Sequence, residues 1–280
     1  MKLVSFCHGE IESFGAVIDN GVIDLKKKFN NEFADLKTFL EKANVEDLNI
    51  DVNDVQYSLN DVTLLPVIPN PEKVVCVGLN YHAHVEECGE TTTETPVIFF
   101  RYPSSQIGHE ENLVLPRESS QLDFEGEIAV IIGKKGRRIS EEDAYNHIAG
   151  YACYNDGSVR DWQLRTSQWA PGKNFDGTGG FGPWMVTKED IKDDEVLSLE
   201  TRVNGQVMQS SSTNLLIFSI PKLIAFISTF TTLKPGDVIV TGTPGGVGLK
   251  REPQMFLKDG DVVEIEVSKI GTLRNTVKAE

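Results

Sequence analysis

The sequence is short of cysteine and of positive charge, and it has no long apolar run. Each shortage excludes something. The four cysteines, Cys7, Cys76, Cys88 and Cys153, are scattered along 280 residues and form no Cys-x-x-Cys pair. They read as free thiols of a reducing cytoplasm, not as a disulfide framework or a thiolate zinc site. Lys and Arg number 27 against 42 Asp and Glu, a formal charge of −15. A surface that acidic repels phosphate backbones and anionic lipid heads, which argues against nucleic acid and membrane partners. The most apolar stretch, residues 215–230, is interrupted by Ser219, Pro221 and Lys222, so no membrane span is expected. The first residues meet Glu10 and Glu12 too early to read as a secretory signal. Internal repeats, low-complexity tracts and the regular strand–helix alternation of a doubly wound fold are missing too. Gly242-Thr243-Pro244-Gly245-Gly246 is glycine-rich, but it lacks the Lys-Ser/Thr ending of a phosphate loop and the register of a dinucleotide fingerprint.

What is present suits a soluble globular chain: 40% hydrophobic and 25% charged residues, enough for one large domain or one with a smaller companion. Residues 1–68 read as a small α+β unit. Two alternating runs and the turn Asp19-Asn20-Gly21 predict a hairpin, and Phe33, Leu36, Phe39 and Leu40 recur at helical spacing. Pro66, Pro69 and Pro71 remove backbone donors and favour extended chain, which places a boundary there. Residues 69–280 read as strand-rich, with a hairpin at Asn204-Gly205 and a helix opening at Ser219-Ile220-Pro221. The fold class expected is α+β, an antiparallel or mixed sheet with a few helices.

The most informative stretch is Asp123-Phe124-Glu125-Gly126-Glu127, running into the apolar Ile128–Ile132. Alternate side chains of a strand share a face, so Asp123, Glu125 and Glu127 are expected side by side. Carboxylates that close raise one another's pKa unless something positive compensates. A divalent cation would do so, and an all-oxygen donor set points to Mg²⁺, Mn²⁺ or Ca²⁺ over zinc. A solvated strand face is the plainer reading of a lone Glu-x-Glu. Some thirty residues on, Asp156 ends another apolar run, where it could face a cleft or merely begin a turn. Ser158 could cap a short helix that projects Arg160 and Gln163 together. In Asn80–Glu87 a helix would put His84 and Glu87 one turn apart, and a carboxylate on an imidazole makes a base able to activate water. His82-x-His84 would serve a metal only on a strand. Glycines crowd around Lys173 and Asp176, as in a loop folded tightly near something.

Taken together, these segments resemble the fumarylacetoacetate hydrolase family over roughly residues 70–270. NYHAHVEE, PVIFFRYPSS, LDFEGEIAVIIG, GYACYNDGSVRDWQ, PGKNFDGTGGFGPW and KPGDVIVTGTPGGVG stand in the family's order and spacing. The resemblance implies a mixed, rolled β core of that type with a small N-terminal domain, divided at 68/69, and a homodimer. It implies metal carboxylates at Glu125, Glu127 and Asp156, and a water-activating dyad at His84 and Glu87. Substrate-binding residues would be Arg160, Gln163 and Thr243, with Lys173 both binding and catalytic. Arg101 stands where many members have lysine. It too is expected to bind substrate, presenting a planar fork in place of a point donor.

Such enzymes act on small 2-oxo acids. Here the expected reaction is hydrolysis of a C–C bond in a 2,4-dioxo acid, with water attacking C4 and pyruvate or a related acid released. Decarboxylation, isomerisation or hydration at the same site is the alternative. A metal-dependent binder of oxo acids without turnover is a third reading.

Overall fold

The computed structural model describes residues 1–280, save the side chain of residue 46. Among the described residues the chain is a mixed α+β structure dominated by sheets. A twelve-stranded sheet lies against a five-stranded one, and a two-stranded ribbon joins Leu122–Asp123 to Ser158–Val159. Among the described residues no helix is long and apolar enough to cross a membrane.

At the centre of the large sheet are Gly126–Ile132 and Ile148–Asp156, antiparallel, with every residue of both strands buried. Burial on both faces explains why neither run alternates in polarity. The two-residue period divides their side chains between two cores. Ile128, Val130 and Ile132 pack toward the five-stranded sheet, while Ala129, Ile131, Ala152 and Tyr154 face a second core that includes Phe14, Phe33 and Phe39 of the N-terminal segment. Val238–Val240 pairs antiparallel with the first of these strands and parallel with Val74–Gly78.

Both hairpins form where expected. Ile18 pairs Gly21 around Asp19-Asn20, and Val203 pairs Gln206 around Asn204-Gly205. Asp19, Asn204 and Gly205 adopt the left-handed backbone that such turns require. Asp35 caps the helix Leu36–Lys42 by accepting from Thr38 N, and Leu36, Phe39 and Leu40 are its buried face. The helix Ile220–Phe230 has Pro221 in its first turn, although Ser219 makes no side-chain capping bond. The sheet crosses the expected 68/69 boundary without a break. Lys2–His8 pairs antiparallel with Gly179–Thr187, Leu3 opposite Met185, so the N-terminal strands extend the large sheet.

The acidic stretch departs from expectation. It is not one strand: the chain bends at Phe124-Glu125 and the strand begins at Gly126. Asn155 Oδ1 accepts from Glu125 N at 3.0 Å and Gln209 Oε1 accepts from Gly126 N at 2.9 Å, so side chains take bonds that a ladder would otherwise make. Ser158 caps nothing; its hydroxyl donates to Asp156 O at 2.7 Å. The short helix Arg160–Gln163 follows it all the same.

Candidate metal centre and active site

Sheet register assembles the carboxylates. Glu127 lies opposite Tyr154, and Asp156 is two residues further along the same face, a diagonal neighbour. Asp156 N donates to Glu125 O at 2.9 Å, which draws Glu125 in from the bend. Ligand oxygens of Glu125, Glu127 and Asp156 lie within 4.8 Å of one another, all buried. Asp123 is not among them. The bend turns it away, and it accepts from Gly248 N (2.8 Å), Leu249 N (2.9 Å) and Arg160 Nε (2.8 Å).

Three buried cations face these four carboxylates. Lys173 Nζ sits 2.7 Å from both Glu125 Oε2 and Asp156 Oδ2. Arg160 Nη1 stands 2.7 Å from Glu125 Oε1 and donates to Gln163 Oε1 at 2.9 Å, so the expected pairing of Arg160 with Gln163 forms. Although burial works against its ionisation, Lys173 and Arg160 hold the Glu125 carboxyl down to about 2. Among the described residues Glu127 makes no ion pair within 4.0 Å, although the Lys173 charge acts on it. Burial and the charges of Asp156 and Glu125 push its carboxyl well above the usual range, against the Lys173 charge and a backbone bond from Gly242 N. Were all four carboxylates ionised, three cations would leave one negative charge unbalanced, and the raised Glu127 carboxyl is where that charge is resisted. The residues therefore fit a hard divalent cation: all-oxygen donors, mutually close, with the surplus charge where the ion would bind.

Arg101 is tied into the protein by all three of its nitrogens. Its Nη1 donates to Asp156 Oδ1 (2.6 Å) and Gly157 O (2.9 Å), its Nε to Ser105 Oγ (3.1 Å) and its Nη2 to Thr178 Oγ1 (2.9 Å). The fork lies against Gly179, where a Cβ would come within 2.7 Å of Nη2. Every nitrogen is so engaged, Arg101 has no place in the cavity wall, and its fork holds Asp156. Arg101→Met is expected to cost about 3–5 kcal/mol of stability, because Asp156 keeps a buried charge with one partner fewer. Arg101→Lys should recover part of that by restoring charge without the fork. Urea unfolding of the three proteins checks both.

His84 lies on the helix His82–Cys88, as its spacing from Glu87 predicts. A carboxylate can only accept, so the 2.7 Å contact between His84 Nδ1 and Glu87 Oε1 puts a proton on Nδ1 and leaves Nε2 for chemistry. Burial opposes the imidazolium, but contacts with Cys88 and Glu87 and the Glu125 charge hold His84 up to about 9. His82 is exposed beside it, which removes the two-histidine metal reading.

One loop, glycine-rich and dismissed as a phosphate binder, ties these parts together through its backbone. Gly242 N donates to Glu127, Gly246 N to Glu87 Oε2 at 2.8 Å, and Gly248 N to Asp123. Gly242 and Gly246 have φ of 105° and 106°, and a Cβ on Gly246 would come within 2.3 Å of Met208 O, so side chains are excluded there. Thr243 in this loop lines the cavity, but its hydroxyl donates to Gly126 O (3.0 Å) and accepts from Gln209 (2.8 Å). Its only proton is thereby committed.

The cavity these groups enclose has a volume of about 160 Å³, small beside the roughly 300–1,000 Å³ of pockets for drug-sized ligands. His84, Glu125, Glu127, Arg160, Gln163 and Lys173 form its polar wall, and Phe99, Leu164, Trp169 and Leu249 an apolar one. Arg160 Nη2 is buried with no hydrogen-bond partner among the described residues.

Residues 73–278 match the family model described as fumarylacetoacetate (FAA) hydrolase C-terminal. The chain belongs to this family. It is 40% identical to oxaloacetate tautomerase fahd2, mitochondrial, of Xenopus laevis, over 99% of this chain and 90% of that protein. Among solved structures it resembles fumarylacetoacetate hydrolase from Exiguobacterium antarcticum, with 35% identity, a TM-score of 0.88 and all of both chains covered. It also resembles maleylpyruvate hydrolase from Sphingobium sp. SYK-6, solved with manganese(II) ion and pyruvate, with 29% identity, a TM-score of 0.83, and 100% of this chain and 99% of that one covered. The rolled, sheet-dominated fold is thus the family's, and the family's enzymes include hydrolases and tautomerases.

Proposed function

We propose that this chain is a divalent-metal-dependent enzyme that moves a proton between carbon and oxygen in a small 2-oxo acid, a keto–enol tautomerase of the oxaloacetate type. The observation that carries this reading is His84, a buried imidazole locked by Glu87 in the wall of a small cavity that also contains Glu125 and Glu127. Glu125, Glu127 and Asp156 would hold Mg²⁺, Mn²⁺ or Ca²⁺, which when bound supplies Lewis-acid polarisation of the 2-oxo oxygen. The orphaned Arg160 Nη2 suits one oxygen of the substrate carboxylate, with Gln163 beside it. Lys173 keeps Glu125 and Asp156 together and faces the developing negative charge. In the tautomerisation C3 takes one proton, the enol oxygen gives one up and no water is consumed. His84 Nε2 is the group able to carry that proton. The likeness to a named tautomerase over 99% of the chain supports the same choice.

Hydrolysis of an acylpyruvate is the second reading, favoured by the same His–Glu pair and by the likeness to maleylpyruvate hydrolase. The two part on one experiment. Metal-loaded protein is given enol oxaloacetate, followed by the loss of enol absorbance, and acetylpyruvate, followed by pyruvate release. Accelerated ketonisation without pyruvate release supports the tautomerase; the reverse pattern supports the hydrolase; neither change with any of the three ions overturns both.

A further inference from the structure

The polar wall accounts for one end of a 2-oxo acid. The other end would lie toward the mouth of the cavity, where the tight turn Gly248–Lys250 contributes Leu249 and Lys250 to the lining. This turn is not a free loop. Gly248 N and Leu249 N donate to Asp123, Asp123 Oδ2 holds Arg160 Nε, and Arg160 holds Glu125, so three successive polar contacts set the position of the turn relative to the carboxylates. Arg160 and Lys173, which also line the cavity, are both committed to carboxylates.

Lys250 is different. Its Nζ makes one long contact, 3.4 Å, with Cys88 O at the end of the His84 helix. Among the described residues it has no carboxylate partner, although Glu90 stands on the same rim. An ammonium has three protons to donate, and the helix-end carbonyl uses at most one. A lysine with no ion-pair partner among the described residues, on the rim of a cavity in a chain of charge −15, is a local point of attraction for an anion.

We propose that Lys250 reads the far end of the substrate, selecting a 2-oxo acid with a second carboxylate over one that ends in a neutral group. The proposal rests on the 2-oxo acid reading above and adds the residue that makes the site prefer a dianion.

The test uses a matched pair. Oxaloacetate and 2-oxobutyrate share the 2-oxo acid head and differ in a carboxylate against a methyl. Their dissociation constants are measured by calorimetry, freshly mixed, on manganese-loaded wild-type protein and on Lys250→Met and Lys250→Arg. Wild type is expected to prefer oxaloacetate. Lys250→Met should weaken oxaloacetate by about tenfold and 2-oxobutyrate by less than about twofold, as for loss of one charge-assisted bond, while Lys250→Arg keeps the preference. Binding of both acids to wild type with the same ratio in Lys250→Met overturns the role of Lys250 and leaves the 2-oxo acid reading standing. Binding of neither acid to the manganese-loaded wild type overturns both.

Discussion

Glu125→Gln is expected to deprive the protein of its divalent cation and to lower kcat/KM by at least about 10³-fold. Glu125 is the most heavily used carboxylate in the site. Oε1 meets Arg160 and Oε2 meets Lys173, each at 2.7 Å, and both oxygens must also be available to a metal. The amide keeps one acceptor and turns an N–H₂ toward a guanidinium or an ammonium, so a bond becomes a clash of donors. Removing one negative charge also leaves three buried cations facing three carboxylates, which takes away the excess that draws a divalent ion. Calorimetric titration with Mg²⁺ and Mn²⁺ and turnover of enol oxaloacetate measure the two effects. A far-ultraviolet spectrum and melting curve show whether the variant has kept its fold. Full activity of Glu125→Gln in a strong chelator would contradict the whole assignment of the centre.

Local pattern in the sequence carried much of this site. The spacing of the acids singled out Glu125 and Glu127, although Glu125 reaches the cluster from the bend through Asp156 N and not by strand period, and a three-residue spacing on a helix brought His84 to Glu87. The helical pair depends on neighbours in the chain, and such geometry can be read from spacing. What spacing could not show is decided by distant partners. The bend that removes Asp123 from the carboxylate cluster depends on Gln209, 83 residues from Gly126, and on backbone N–H groups 125 and 126 residues away. Arg101 was legible as a charge near the site, but its direction follows from the space beside Gly179 and the hydroxyl of Thr178. The loop from Gly242 to Leu249 was the largest omission. Its work is done by backbone N–H groups, which every residue but proline has, so its side chains give no signal except the glycines that permit its shape. In the N-terminal segment the hairpin and helix were local, whereas the pairing of Leu3 with Met185 spans nearly two-thirds of the chain.

His84→Ala is expected to separate binding from proton transfer. The imidazole lies in the cavity wall but outside the carboxylate cluster, so the variant should take up Mn²⁺ as wild type does while kcat falls about 10²–10⁴-fold, the range for loss of a positioned acid or base. Added imidazole, small enough for the space vacated, should restore part of the rate. An unchanged kcat would mean that the proton moves through another group. The same residue gives the metal-free protein a pH signature. Its pKa rises from an ordinary 6.5 to about 9 on folding, so the folded state holds the proton more tightly than the unfolded chain. The stability from His84 is therefore complete below about pH 6.5 and lost as pH climbs through about 9, a difference of about 3 kcal/mol for a shift of this size. Urea unfolding of metal-free protein at pH 6 and pH 9.5 should show that loss in wild type and much less of it in His84→Ala. A bound divalent cation offsets the Glu125 charge that helps hold the proton, so metal loading should shift the transition to lower pH. That shift would move His84 toward the pH range in which one imidazole can both give and accept a proton, as the tautomerase reading requires.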